Sequence, residues 1–173
     1  MPGLRPPIAA PGRTRPRAHG TLAAAFVAIA FTSAGTPARA DCIDDAAAWH
    51  QVNAKVLRAI GWQESRLNPA AIGRNANGST DLGAFQINST HLPELARFGV
   101  TAQSLADGCV SAYVAAWHYR RQVDRFGNTW AAVGAYHSRT PALAASYAAR
   151  IASVLQTWGV PLQTGPSHLP AAH

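Results

Sequence analysis

Two carboxylates, Glu64 and Asp81, stand in the stretch WQESRLNPAAIGRNANGSTDLGAFQINS, which runs from Trp62 to Ser89. Glu64 follows the apolar residues Val56, Leu57 and Ile60, one helical turn beyond Ile60 on the same stripe. A carboxyl so placed is partly desolvated at a helix C-terminus. Burial and the negative end of the helix dipole both disfavour its charged form. Such a group stays protonated near neutral pH and can donate a proton to a leaving group. An exposed Glu in a last helical turn fits the same spacing. Asp81 lies among Asn, Gly and Ser, which solvate an ionised carboxylate. Two carboxyls in environments that push their pKa values apart are the pattern of glycoside cleavage. An Asp that holds a turn through its own backbone is the plainer alternative.

Downstream, Gly83-Ala84-Phe85-Gln86-Ile87-Asn88 combines an apolar surface with two amides. Gln86 and Asn88 offer donors and acceptors suited to sugar hydroxyls and N-acetyl groups. A turn with Phe85 and Ile87 in the core reads equally well. Tyr136 and His137 close a later helix. Tyr136 is placed to hydrogen-bond a substrate or the acid, or to sit in the core with its hydroxyl satisfied. His137 and Ser138 are adjacent, which rarely makes a triad, and no G-x-S-x-G occurs.

The elements that must position these groups are mostly helical. The pattern predicts helices over about Ile43–Gln51 and Lys55–Glu64, then turns from Asn68 to Asp81 with a hairpin around NANGST. Helix resumes near Leu92 and stops at Gly99. A short turn of helix follows, capped by Thr101. A long helix covers about Cys109–Arg125, with Gly127 ending it. Thr129 caps Trp130–Tyr136. The last helix starts with Thr140 as N-cap and Pro141 at N1, and stops before Gly159. The repeated alanines allow close helix packing.

The chain of 173 residues suffices for one domain. Its net charge of +7 is concentrated at one end. Of 15 basic residues, Arg5, Arg13, Arg15, Arg17 and Arg39 precede Asp41, where no acid occurs. Removing those five leaves 10 basic against 8 acidic residues, which argues against a nucleic-acid partner. Residues 1–40 read as a secretory signal. A basic region ends near His19, LAAAFVAIAF covers Leu22–Phe31, and ARA at Ala38–Ala40 places cleavage before Asp41. The apolar run is about ten residues, short of the roughly twenty that span a bilayer, so no stable membrane insertion is expected after cleavage. A retained anchor is the other reading. Cys42 and Cys109, both in the exported part, are most simply one disulfide closing a loop of about 67 residues, worth up to roughly 4 kcal/mol. Two buried thiols are the alternative. Neither a metal site nor a cofactor is implied. The domain spans 41–159, and the Pro-rich residues 160–173 read as a flexible tail.

AIGWQES, GAFQIN and AYHS, in that order behind an export signal, resemble the motifs of small lytic transglycosylases of the bacterial cell envelope. Those enzymes carry Glu-Ser at a helix end, Gly-x-x-Gln about twenty residues on, and Ala-Tyr-Asn near the C-terminal helices. The likeness covers about Asp41 to Trp158. It implies a mainly α, lysozyme-like (goose-type) domain with a small β-hairpin or irregular polar segment after the catalytic helix. It implies a periplasmic enzyme whose partner is the glycan strand of peptidoglycan. Glu64 would be the catalytic acid, with Ser65, Phe85, Gln86, Asn88, Tyr136 and His137 around the substrate. His137 replaces the usual Asn, as in a subgroup that accompanies secretion, conjugation or pilus machines. The spacing from Glu64 to Asp81 also resembles vertebrate-type lysozymes, where the aspartate serves a retaining hydrolysis. A glycan-binding protein without catalysis is the non-enzymatic alternative.

Overall fold

The computed structural model describes residues 41–162. The expected signal, 1–40, and residues 163–173 of the expected tail lie outside the described residues. The domain is mainly helical with one small sheet. Helix α1 (Cys42–His50) starts at Asp41, whose Oδ1 accepts from the Ile43 and Asp44 amides at 3.0 and 3.1 Å. Helix α2 (Ala54–Ser65) starts at Asn53, whose side chain accepts from the Val56 amide. These side chains satisfy donors that have no partner inside the helix. Cys42 and Cys109 form the expected disulfide, joining the start of α1 to the start of α4 (Gly108–Phe126).

Between α2 and α4 the chain makes a three-stranded antiparallel sheet, β1 (Ile72–Arg74), β2 (Thr80–Leu82) and β3 (Ile87–Asn88). The expected hairpin is β1–β2, turned at Asn75–Ser79 with Gly78 at φ +82°. β3 adds a strand where the sequence suggests only a junction. A tight turn at Gly83, φ +75°, folds it back on β2. Any Cβ at Gly83 would stand 2.1 Å from the Leu105 carbonyl oxygen, so only glycine fits.

The helix expected from Leu92 is shorter than the pattern suggests. It is α3 (Leu92–Leu95) flanked by 3-10 turns, Ser89–His91 and Ala96–Phe98. Gly99 ends the segment at φ +74° as expected. Gln103 holds the N-cap position of the 3-10 turn Ser104–Ala106, and Thr101, two residues earlier, accepts from the Ser104 amide through its hydroxyl. Helices α5 (Trp130–His137) and α6 (Pro141–Thr157) complete the fold. Thr129 caps α5 through the Ala132 amide. Thr140 holds the N-cap position of α6 but makes no capping bond; its own amide donates to Ser138 Oγ instead.

One apolar core runs through Val56, Leu57, Ile60, Phe85, Leu105, Val114, Val133, Ile151 and Leu155. α4 packs on α1 and α5, while α6 packs on α5 and α2. The approach of α5 to α6 is glycine-dependent: a Cβ at Gly134 would clash with the Ala144 carbonyl oxygen. Val160 and Leu162 pack against this core, so the expected tail begins docked. Among the described residues, no helix is long and apolar enough to cross a membrane.

Candidate active site

Glu64 sits in the last turn of α2, and the chain reverses sharply beyond it. Arg66 and Leu67 both take left-handed conformations, φ +58° and +62°. The Arg66 amide donates to the Trp62 carbonyl and the Leu67 amide to the Gly61 carbonyl. This is a Schellman-type close, with Leu67 packed over Gly61 as its apolar contact. Non-glycine residues reach such angles at some cost, which the two backbone bonds offset. Ser65 braces the same turn. Its hydroxyl donates to the Ala84 carbonyl at 2.7 Å and accepts from the Asn68 amide at 3.0 Å.

Glu64 faces a cavity of about 740 Å³. The hairpin side supplies Asn75, Asn77, Ser79 and Asp81; the turn and β3 supply Gln86 and Asn88. Opposite lie His118 and Gln122 of α4, then Tyr136, His137, Ser138 and Arg139 at the end of α5. Most of the lining is amide, hydroxyl or imidazole, matched to a polyhydroxylated ligand.

Burial raises the Glu64 carboxyl above its ordinary pKa, and the nearby Asp81 charge adds to the rise. A hydrogen bond from Tyr147 and the charge of Arg150 pull the other way. The Tyr147 hydroxyl donates to Glu64 Oε1 at 2.6 Å. Asp81 pairs with Gly73 and Asn88 across the sheet. Its Oδ1 accepts from Asn88 Nδ2 at 2.7 Å and its Oδ2 from Asn75 Nδ2 at 2.9 Å. Asp81 thus faces the same cavity as Glu64 while its two oxygens tie β2 to the hairpin turn and to β3.

Gln86 Nε2 donates to the Gly83 and Ala71 carbonyls, at 2.9 and 3.3 Å. Its Oε1 fills the space above Gly73, where a Cβ would stand 2.9 Å away. His118 Nε2 lies 3.2 Å from the Tyr136 carbonyl oxygen, which only accepts, so this nitrogen carries the proton. Burial, with the neighbouring His91 and arginines, pushes the His118 pKa down to about 4.

Of the expected residues, Glu64, Asp81, Gln86, Asn88, Tyr136 and His137 line one cavity. Ser65 and Phe85 do not. Phe85 is 1% exposed, its ring packed where Gly61 leaves room. Its placement at the substrate is therefore corrected: its carbonyl accepts from the Tyr136 hydroxyl at 3.1 Å, and its ring is core. Tyr136, spent on that bond, leaves the contact with Glu64 to Tyr147, which sequence reasoning missed. The available signal was a tyrosine on the stripe Tyr147, Ile151, Leu155 of α6, where a buried hydroxyl requires a partner.

A buried carboxyl of raised proton affinity, in a polar trough between helices and a small sheet, belongs to a mainly helical fold of the lysozyme-like class. Residues 41–149 match the transglycosylase SLT domain. The chain belongs to that family, the lytic transglycosylases that act on peptidoglycan. It is 39% identical to invasion protein IagB of Salmonella typhimurium over 116 residues, 66% of this chain and 72% of that one. It is 37% identical to protein IpgF of Shigella flexneri over 103 residues, 59% and 68% of the two chains. The X polypeptide of Escherichia coli is 38% identical over 99 residues, 57% of this chain and 59% of its own length.

Proposed function

We propose that the protein cleaves the β-1,4 bond between N-acetylmuramic acid and N-acetylglucosamine and leaves 1,6-anhydromuramoyl ends. Glu64 protonates the departing glycosidic oxygen as the C1–O bond breaks. The N-acetyl oxygen of the same muramyl residue bonds to C1 and carries the positive charge. Glu64, now a carboxylate, takes the proton of the C6 hydroxyl, and O6 displaces the acetamido oxygen to close the anhydro ring. No water is consumed and no second carboxylate is needed. The supporting observation is the contrast between the two acids: burial favours the proton on Glu64, while Asp81 is committed to Asn75 and Asn88. Gln86 and Asn88 are the side chains we assign to the sugar, from their place on the cavity wall.

We read residues 1–40 as an export signal and 41–159 as the catalytic domain in the periplasm, with 160–173 beyond it. The name of one relative, an invasion protein, supports local opening of the wall for an envelope-spanning transport apparatus.

Digestion of purified murein tests the reaction. Mass spectrometry is expected to find muropeptides lacking one water; reducing ends would overturn the anhydro route. Glu64→Gln is expected to lose about 10²- to 10⁴-fold in rate, the usual share of a general acid. Asp81 faces the same cavity, which also suits a retaining hydrolysis with Asp81 as nucleophile. Asp81→Asn then separates the two: a loss of less than about tenfold is expected here, and a loss matching that of Glu64→Gln would favour hydrolysis.

A further inference from the structure

His137 stands where the resembling enzymes carry Asn, and the proposed reaction gives it no step. Its ring lies parallel to that of Tyr147, with centroids 4.9 Å apart and planes 3° from coplanar. Tyr147 is buried and donates to Glu64 Oε1. Tyr136 stacks on Tyr147 more distantly, at 6.4 Å and 18°, and the Arg150 guanidinium lies 5.4 Å from the same ring. His137 is therefore the exposed, cavity-facing end of a run of contacts: imidazole on phenol, phenol on carboxyl.

The phenol oxygen lies on the axis of the last side-chain torsion, which is broad rather than strictly staggered, so turning about it leaves Oη in place but swings the ring plane and the O–H that prefers to lie in that plane. A flat partner narrows that torsion. The close approach of Gly134 to Ala144 sets the register of α5 on α6 and hence the overlap of the two rings. Burial and the charge of Arg150 lower the proton affinity of His137, against a smaller opposing pull from Asp81. The stacked ring is thus neutral at pH 7, and its contribution is one of shape.

We propose that His137 is a positioning residue, stacked on Tyr147 so that the phenol hydroxyl stays directed at Glu64 Oε1 and the acid proton stays on Oε2. This rests on the reading of Glu64 as the acid. Asn at the same position offers no ring face, so the device belongs to chains with a flat side chain here.

The test is a double-mutant cycle in steady-state kinetics on soluble, uncrosslinked glycan strands: His137→Ala, Tyr147→Phe and both together, with His137→Phe as the rescue. An aromatic stack is worth about three- to tenfold in an equilibrium or a rate. His137→Ala is expected to lower kcat by that factor with KM changed less than about twofold. His137→Phe should restore most of the loss, because a neutral ring face suffices. In the Tyr147→Phe background, His137→Ala should cost nothing more. Losses that multiply, a loss confined to KM, or a His137→Phe variant as slow as His137→Ala would each overturn the proposal. Melting curves check that the variants are folded. If His137→Ala does not fold, His137→Asn replaces it in the cycle, with the same criteria. The anhydro or reducing end made by the wild type is read separately, so a failed cycle leaves the proposed reaction standing and the converse also holds.

Discussion

Oε1 of Glu64 accepts from Tyr147, so in the neutral carboxyl the proton belongs on Oε2. That arrangement has a stability consequence whose sign is fixed. The folded pKa is raised above the ordinary carboxyl value. The neutral form is therefore favoured by folding. Its contribution is complete below the unfolded pKa and is lost as pH rises through the folded one. Gln keeps the shape and the acceptor for Tyr147 but never ionises. Glu64→Gln should melt close to the wild type near pH 4 and above it near pH 8, the gap widening across the interval. Thermal melts at a series of pH values measure it. A gap independent of pH would mean that burial does not bear on this carboxyl. Activity moves oppositely to stability here, as is common where a site holds a group in an unfavourable state.

Helices α5 and α6 meet at Gly134, and this contact governs the geometry beyond it. A methyl group there would strike the Ala144 carbonyl oxygen, a backbone atom with no side-chain freedom to yield. Gly134→Ala should cost about 1–3 kcal/mol, by forcing the helices apart. It should also lower kcat, since Tyr147 lies one turn beyond Ala144 while His137 lies one turn beyond Gly134. Denaturant melts and kinetics on the same sample check both; an unchanged midpoint would contradict the packing. At this scale much was legible in the sequence. Thr129 and Gly127 marked helix ends, and the Asn and Gly residues of Asn75–Ser79 marked a hairpin, because caps and turns are local chemistry. β3 was not legible. Its pairing to β2 depends on Gln86 at φ +48° and on Leu105 closing over Gly83, both imposed from outside the strand. Tyr147 was missed for the same reason: its partner is on α2, far away in sequence, and only packing selects it over Tyr136.

The domain as a whole is tied at its beginning. Cys42 and Cys109 link α1 to α4 across a separation of 67 residues. Loop-closure entropy makes that link worth up to about 4 kcal/mol. Reductant should lower the melting temperature by roughly 10 °C or more, while α1 stays packed on α4 through Ala46 and Ala47 and activity persists well below the midpoint. Melts with and without reductant check it. The residue just before Cys42 bears on the proposed cleavage site. Asp41 caps α1 through two amides and pairs with Arg58, which also holds Asp44. The Arg58 hydrogen bond keeps the Asp41 carboxyl below its ordinary pKa, so the cap is charged at neutral pH and faces the positive end of the helix. A cut before Asp41 preserves this network; a cut one residue later removes it and leaves Cys42 at the terminus. N-terminal sequencing of protein recovered from the periplasm should therefore begin at Asp41. A chain lacking Asp41 should lose about 1 kcal/mol, the usual worth of an N-cap, in a denaturant melt. A first residue well downstream of Asp41, with stability unaltered, would show that the cap does not set the boundary.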